Sequence, residues 1–210
     1  MSTRGPRGPY AKSAAKRQQI IEAALAAYAE AGSRGVSVRD IAERVGLTDA
    51  GVLHHFGGRE ALLTAVLEAR DAAAAERYGE EAALWRTELL AENAATPGLV
   101  KLFVDLSAAA AEPGHPAHPY FTERYGMLRE RVARAFTEAR PEDGAEASDN
   151  AGVEPSEVDA DWAARVLLAA TDGLQLQWLL NPAIDMAADI TRLRDVLIAV
   201  LAGAGLRRDA

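Results

Sequence analysis

The sequence predicts an all-α protein with about nine helices, in which a small three-helix domain precedes a larger helical domain. Three observations support this class. Apolar residues recur at helical spacing along most of the chain, and the alternating runs of β-branched residues that are typical of strands are absent. Alanine is abundant whereas aromatic residues make up only 6%, which favours closely packed helices. We place the two domains at residues 14–74 and 75–210.

The small domain begins with a helix predicted over residues 13–31. Ile21, Leu25 and Tyr28 lie on one face of this helix, because they are spaced by four and three residues. Gly32 is expected to end it.

Two shorter helices are predicted within residues 37–56. Ser37 and Asp40 have the spacing of a capping box and start the first of them. Gly46 ends that helix, and the hydroxyl of Thr48 can cap the second. A glycine turn between two short helices is typical of a helix-turn-helix motif. The residues predicted to pack inward against the first helix are Val38, Ile41, Ala42, Val45, Val52 and Phe56.

The remaining helices are delimited by glycines, prolines and capping residues. Gly57-Gly58 precedes a long helix that runs from Arg59 into the seventies, and Asn181-Pro182 separates the last two helices. Further helices are predicted at about 81–92, 97–111, 120–140, 156–180 and 185–202, with Thr96, Ser156 and Asp185 as caps.

Composition limits the compartment and the chemistry. The chain has no cysteine, so disulfides and thiolate metal sites are excluded and a reducing compartment is favoured. The N-terminal residues are basic but lack the apolar segment of a secretory signal. No apolar run approaches the ~20 residues that a membrane helix needs. We therefore expect a cytoplasmic protein that does not bind a membrane.

Charge is distributed unevenly along the chain. The net charge is −8, but residues 1–67 carry +3 and residues 68–210 carry −11. A basic segment on an otherwise acidic protein is typical of contact with phosphate groups, although a solvated disordered tail has the same composition. The basic residues that precede the first acidic residue are Arg4, Arg7, Lys12, Lys16 and Arg17.

The outward face of the helix-turn-helix motif suits duplex DNA. Its second helix is short and has small or polar outer residues, so it can enter a major groove closely. Arg59 and the free N–H groups at the start of its own helix can hold a phosphate. For Asp49, an interaction with the helix N-terminus and acceptance from a cytosine amine are equally open. The predicted DNA-binding residues are Lys16, Arg17, Arg39, Thr48, Asp49, Ala50, Gly51, His54 and Arg59.

The stretch SVRDIAERVGLTDAGVLHHFGGREALL resembles the N-terminal DNA-binding domain of the TetR family of transcriptional regulators. The positions that match the family's pattern are Ile41-Ala42, Gly46-Leu47-Thr48, Ala50, Val52, His55-Phe56, Arg59-Glu60 and Leu62-Leu63. Leu53 stands where the family usually has a tyrosine that touches the DNA backbone, so one phosphate contact is expected to be missing. The resemblance implies a semi-buried structural role for His55, whereas His54 is expected to face outward.

The family resemblance also implies a function. It implies a ligand-responsive, sequence-specific DNA-binding regulator that binds a double-stranded operator as a homodimer. A repressor released by a small-molecule effector is the expected form. 

Two heptad-like seams in the larger domain predict a surface for self-association. The helix that carries the first seam has a second apolar face, at Leu167, Ala170, Leu174 and Trp178, which can serve the chain's own core. Packing of both seams inside the chain is the alternative. The predicted dimer-interface residues are Trp162, Val166, Ala169, Gly173, Leu176 and Leu180 on one helix and Met186, Ile190, Leu193, Leu197 and Val200 on the next.

A cavity for the effector is predicted among the middle helices, with ordinary core packing as the alternative. Its candidate lining residues are Trp85, Phe103, Leu106, Tyr125, Met127, Leu174, Gln175 and Trp178. Their apolar and aromatic character favours a largely hydrophobic molecule. No metal and no cofactor are expected. The HPAHP segment, with His115 and His118, lacks a third ligand and is interpreted as a proline-rich connector.

An enzyme and a helical adaptor that binds only protein are the competing classes of function. The sequence has no Gly-rich phosphate loop after a strand, no nucleophile elbow and no His-Glu-x-x-His motif, which argues against an enzyme. A salt-dependent shift of duplex DNA would distinguish a DNA-binding protein from both rivals.

Overall fold

The computed structural model describes residues 9–32, 35–79, 87–139 and 159–202. Helices and turns, with no strand, make up these residues, in agreement with the predicted all-α class. The helices are α1 (Pro9–Glu30), α2 (Val38–Val45), α3 (Asp49–His54), α4 (Arg59–Tyr78), α5 (Thr87–Ala95), α6 (Pro97–Ala109), α7 (His118–Glu138), α8 (Ala160–Leu180) and α9 (Met186–Leu201). None of the described helices is both long enough and apolar enough to cross a membrane.

Contacts divide the chain into two compact units. Unit 1 comprises Met1–Arg77 and Glu92–Phe121, and unit 2 comprises Tyr78–Ala91 and Thr122–Ala210. Unit 1 therefore contains α6 as well as the three helices of the small domain. The predicted boundary between residues 74 and 75 separates a DNA-binding domain from a regulatory domain, and it stays a prediction.

The capping signals of the small domain fold as the sequence predicts. The Ser37 hydroxyl accepts a hydrogen bond from the backbone of Asp40, whose carboxylate accepts one from the backbone N–H of Ser37, so the capping box is complete. Gly46 follows α2 with φ of 65°, a left-handed conformation that costs glycine nothing. The Thr48 side chain caps α3.

Several predicted boundaries are wrong by a few residues. The first helix begins at Pro9 rather than at residue 13, and α7 begins at His118 within the proline-rich segment. The Thr96 hydroxyl makes no cap hydrogen bond, because it donates back to the carbonyl of Glu92 instead. Asp159 caps α8 by accepting from the N–H of Trp162, whereas Ser156 lies outside the described residues.

The core of unit 1 joins the small domain to α6. Helix α1 packs on both α2 and α6, and α2 packs on α3. Ile20, Ile41, Val52 and Phe103 are almost completely buried. Val38 is only half-buried, contrary to the prediction, and Val36 in the preceding loop is buried in the same unit. The reason is that Val38 is the first residue of α2 and lies at its exposed end.

The core of unit 2 is built on α8 and α9, which pack against each other. Its buried members include Val132 and Phe136 on α7, Leu167 on α8, and Ile190 and Leu197 on α9. The second apolar face of α8 serves this core at three of its four predicted positions, since Leu167 belongs to the cluster and Ala170 and Leu174 pack against it. Trp178, the fourth, is buried but lies outside the cluster.

Candidate nucleic-acid interface

The helix-turn-helix motif buries its apolar residues and leaves a short polar face outside. Ile41, Ala42 and Val45 on α2 are buried, as are Val52 on α3 and Phe56 just after it. On the opposite side Asp49, Ala50 and His54 are exposed and Gly51 is half-buried. The second helix therefore presents the small and polar surface that close approach to a DNA groove requires.

Thr48 and Gly51 set the start of α3 together. The hydroxyl oxygen of Thr48 accepts a hydrogen bond of 3.1 Å from the backbone N–H of Gly51. A Cβ added at Gly51 would lie 3.2 Å from that oxygen, so glycine keeps the cap compact. As an acceptor, the Thr48 hydroxyl still has its own proton to donate outward.

Lys16 and Arg17, which the sequence assigns to phosphate contact, both have structural partners in unit 1. The Nζ of Lys16 donates to the carbonyl of Val45 at 3.1 Å, at the C-terminus of α2. The guanidinium of Arg17 donates to the carbonyl of His55 at 2.9 Å and lies 4.2 Å from the ring centre of Phe56. These two side chains tie α1 to the ends of both helices of the motif.

The other two basic residues predicted to contact DNA, Arg39 and Arg59, are in exposed ion pairs. Arg39 pairs with Glu43 at 3.0 Å, and this pair raises the pKa of the Arg39 guanidinium. Arg59 pairs with its neighbour Glu60 at 3.2 Å. Exposed pairs of this kind hold their side chains weakly, so both guanidinium groups remain accessible to a phosphate.

The two histidines have the different environments that the sequence predicts. His55 is half-buried and caps α3, and its carbonyl accepts the bond from Arg17. His54 is exposed, and its ring contacts the His55 ring edge-on with 6.3 Å between centroids. Leu53, at the usual tyrosine position, is half-buried.

The predicted dimer-interface residues of α8 and α9 lie in different surroundings within unit 2. On α8, Trp162 (39%), Leu176 (48%) and Leu180 (80%) are exposed although they are apolar. Ala169 is also exposed, and Val166 and Gly173 are half-buried. We define these six residues as the α8 stripe.

The α9 seam requires a correction. Met186, Ile190 and Leu197 are buried in unit 2, and Leu193 and Val200 are half-buried. Ile190 and Leu197 belong to the unit's own core and Leu193 packs against it, so these side chains face the chain's own core rather than a partner chain. The exposed side of α9 carries Ala188, Val196 and Ala199 instead.

The predicted effector-site residues are divided between the two units. Phe103 and Leu106 are buried in unit 1, whereas Trp178 and Gln175 are buried on α8 in unit 2. The Tyr125 hydroxyl donates to Asp172 at 2.5 Å, and burial together with this bond raises the pKa of Tyr125. Met127 is 44% exposed and does not suit a lining role, and Trp85 lies outside the described residues.

The two histidines of the HPAHP segment satisfy local backbone groups. The Nδ1 of His115 accepts from the N–H of Ala117 at 3.2 Å, and the Nδ1 of His118 lies 2.8 Å from the carbonyl of Ala110. These bonds hold the turn that connects α6 with α7.

Comparison with known proteins identifies the small domain. Residues 20–66 match the family model for bacterial regulatory proteins of the TetR family. The transcriptional repressor AcnR of Corynebacterium diphtheriae is 36% identical over 117 residues, which cover 56% of this chain and 47% of that protein. The repressor KstR2 of Mycobacterium tuberculosis is 36% identical over 52 residues, covering 25% of this chain and 26% of that protein. The matches thus span about half or less of the length of these relatives.

A solved structure extends the likeness to the fold of most of the chain. The transcriptional regulator of Rhodococcus sp. RHA1 aligns with a TM-score of 0.59 at 19% identity, covering 90% of this chain and 96% of that one. At this identity the likeness concerns the fold alone. The match of residues 20–66, the folded helix-turn-helix they contain and the named relatives together lead to one assignment: residues 20–66 form a DNA-binding domain of the kind found in the TetR family of bacterial regulatory proteins.

Proposed function

We propose that this protein is a sequence-specific DNA-binding transcriptional regulator, and specifically a repressor, rather than an enzyme. The observation that carries the proposal is the exposed face of α3, whose residues are small or polar. Thr48 caps the start of this helix, and Arg17 donates a hydrogen bond to the carbonyl of His55 at its end. A face of this kind fits a major groove. The relatives AcnR and KstR2 are both named as repressors.

The contacts with DNA are proposed to divide into two kinds. Asp49, Ala50, Gly51 and His54 on α3 approach base edges, where hydrogen bonds carry sequence information. Contacts with phosphates position the motif without reading sequence. The residues proposed for phosphate contact are Lys16, Arg17, Arg39, Thr48 and Arg59.

We propose that the protein binds its operator as a homodimer. One helix as short as α3 reads too few bases for specificity, so two copies bind half-sites about 34–36 Å apart. The α8 stripe supports this assembly, because Trp162, Leu176 and Leu180 form an apolar face that the described residues of the chain leave exposed. The outward side of α9, with Ala188 and Val196, supplies the second helix of a four-helix contact.

A small, largely apolar effector is proposed to bind near Trp178 and Tyr125 and to release the DNA. Trp178 and Gln175 offer an aromatic surface and one amide on the inner side of α8. Release requires that the effector prefers a conformation with lower DNA affinity, and a shift of α4 is the proposed difference. The working compartment is proposed to be the cytoplasm, where the operator lies.

A mobility-shift titration tests the proposed function directly. The purified chain is mixed with duplex fragments from the neighbourhood of its own gene at two salt concentrations. We expect one fragment to shift with an affinity that falls steeply with salt, since counterions are released from the phosphates. If no fragment shifts even at low salt, the enzyme and adaptor readings replace this one.

The effector proposal is tested by fluorescence and DNA release measured together over a panel of apolar and charged metabolites. Quenching should disappear in Trp178→Phe and persist in Trp162→Phe, because Trp162 lies on the exposed side of α8. Normal release from a Trp178→Arg protein would contradict the proposed location.

A further inference from the structure

Unit 1 contains a small groove that is distinct from the exposed face of α3 and from the proposed effector site near Trp178. It lies between the C-terminal part of α1, the start of α4 and one side of α6, and its volume is about 190 Å³. At about 30 Å³ per water molecule in the liquid, this is room for about six waters or one small organic molecule. Leu63, Leu102 and Leu106 provide its apolar wall.

A buried phenol lies on the wall of this groove. Tyr28 is only 4% exposed, and it lines the groove. Burial raises the pKa of Tyr28, and the phenol therefore stays protonated near neutral pH and acts as a donor.

Two cations lie around the same groove. Arg59 on α4 and Lys101 on α6 both line it, and each forms an ion pair with a carboxylate of its own helix, Glu60 and Asp105 respectively. Both pairs are largely exposed to solvent, where ion pairs contribute little free energy. An incoming anion can therefore displace these carboxylates at small cost and form charge-assisted hydrogen bonds.

We infer that this groove binds a small monocarboxylate with an apolar body. The carboxylate accepts from the Tyr28 hydroxyl and meets the Arg59 guanidinium, while the apolar body rests on Leu63, Leu102 and Leu106. A dianion or a nucleotide does not suit the site, because Glu60 and Asp105 balance the two cations and the volume is too small.

The location links the site to DNA. Arg59 is also a proposed phosphate contact, so a carboxylate in the groove and a DNA phosphate compete for the same guanidinium. Occupancy is therefore expected to weaken DNA binding, which makes the groove a second control site separate from the one near Trp178. This link rests on the proposed function, whereas binding of the carboxylate to the free protein does not.

Binding is tested on the full chain without DNA, by calorimetric titration with benzoate as the probe. Benzyl alcohol tests the need for the carboxylate, and acetate tests the need for the apolar body. Tyr28→Phe removes only the hydroxyl, and we expect it to weaken benzoate binding about tenfold, the effect of losing one hydrogen bond to a charged group. Thermal denaturation checks that this variant remains folded.

Two matched tryptophan substitutions test the location. Ala109 is exposed and lines the groove, so Ala109→Trp should fill it and abolish benzoate binding. Ala108 is exposed on the same helix but does not line the groove, so Ala108→Trp should bind benzoate normally. The inference is overturned if benzoate does not bind saturably, if benzyl alcohol or acetate binds equally well, or if Tyr28→Phe or Ala109→Trp leaves the affinity unchanged.

A DNA titration in saturating benzoate then tests the link. We expect the affinity for DNA to fall in the wild-type chain and to stay constant in Ala109→Trp. An unchanged wild-type affinity would refute the competition for Arg59. A chain that binds benzoate but never binds DNA would refute the proposed function and leave the groove assignment in place.

Discussion

Gly98 allows α6 to cross α1 more closely than any other residue would. A Cβ added at this position would lie 2.2 Å from the carbonyl oxygen of Tyr28 and 2.7 Å from that of Gly32. Both obstacles are backbone atoms near the end of α1, so no side chain can rotate away. Since carbon and carbonyl oxygen normally stay about 3.3 Å apart, Gly98→Ala must separate the two helices by about 1 Å.

The cost of this substitution can be placed between known limits. Overpacking a tight contact costs about 1–3 kcal/mol, and alanine regains up to about 1 kcal/mol of helix propensity. We therefore expect Gly98→Ala to lower the free energy of unfolding by about 1–2 kcal/mol, which corresponds to a fall of about 2–8 °C in the melting temperature.

Urea denaturation followed by circular dichroism measures the effect, with Gly126→Ala as the matched control. Gly126 lies within α7, and a Cβ there would meet nothing within 4 Å. The control should be as stable as the wild type or slightly more stable, because only helix propensity changes. If Gly98→Ala matched its control, the close crossing of α1 and α6 would be refuted.

Four further predictions concern assembly, DNA contact and pH. Gly173→Arg places bulk and charge in the middle of the α8 stripe and should give monomers with impaired DNA binding, which sedimentation measures; a dimeric variant would exclude this stripe as the interface. Arg17→Ala removes the hydrogen bond to the carbonyl of His55 and the contact with the Phe56 ring, so the free energy of unfolding, measured by urea denaturation without DNA, should fall by about 1–3 kcal/mol. Arg59→Ala should weaken binding to all DNA sequences alike and reduce the salt slope by about one, and a changed operator preference would contradict a phosphate role. Hydrogen bonds from Ser37 lower the pKa of Asp40, so the ionised carboxylate stabilises the fold fully at neutral pH. This stabilisation is lost as the pH falls through the folded-state pKa, and Asp40→Asn should therefore make the melting temperature depend less on acid pH.

The local signals of the small domain are sufficient to predict its fold. Ser37, Asp40, Gly46 and Thr48 act within three or four residues of chain, so their spacing in the sequence already contains the geometry that forms. The exposed residues of α3 follow from the same short-range pattern, because a helix of known start and period has only one inward face.

Lys16 and Arg17 illustrate what local patterns do not contain. Their charge and position predict phosphate contact, but they do not predict the bonds that these side chains donate to the carbonyls of Val45 and His55, 29 and 38 residues further along the chain. Such bonds depend on how α1 crosses the motif, and no spacing in the sequence encodes that crossing. The groove beside Tyr28 does not follow from the sequence for the same reason, since residues from five separate segments of the chain form it.

The sequence by itself determined that α8 and α9 each carry an apolar seam with alternating spacings of three and four residues. Only the tertiary structure decided that the α9 seam, with Ile190 and Leu197, faces the core of unit 2, while the α8 seam, with Leu176 and Leu180, faces outward. The physical reason is that burial against the same chain and burial against a second copy require the same apolar period. The choice between them is made by the neighbouring helix that covers each face.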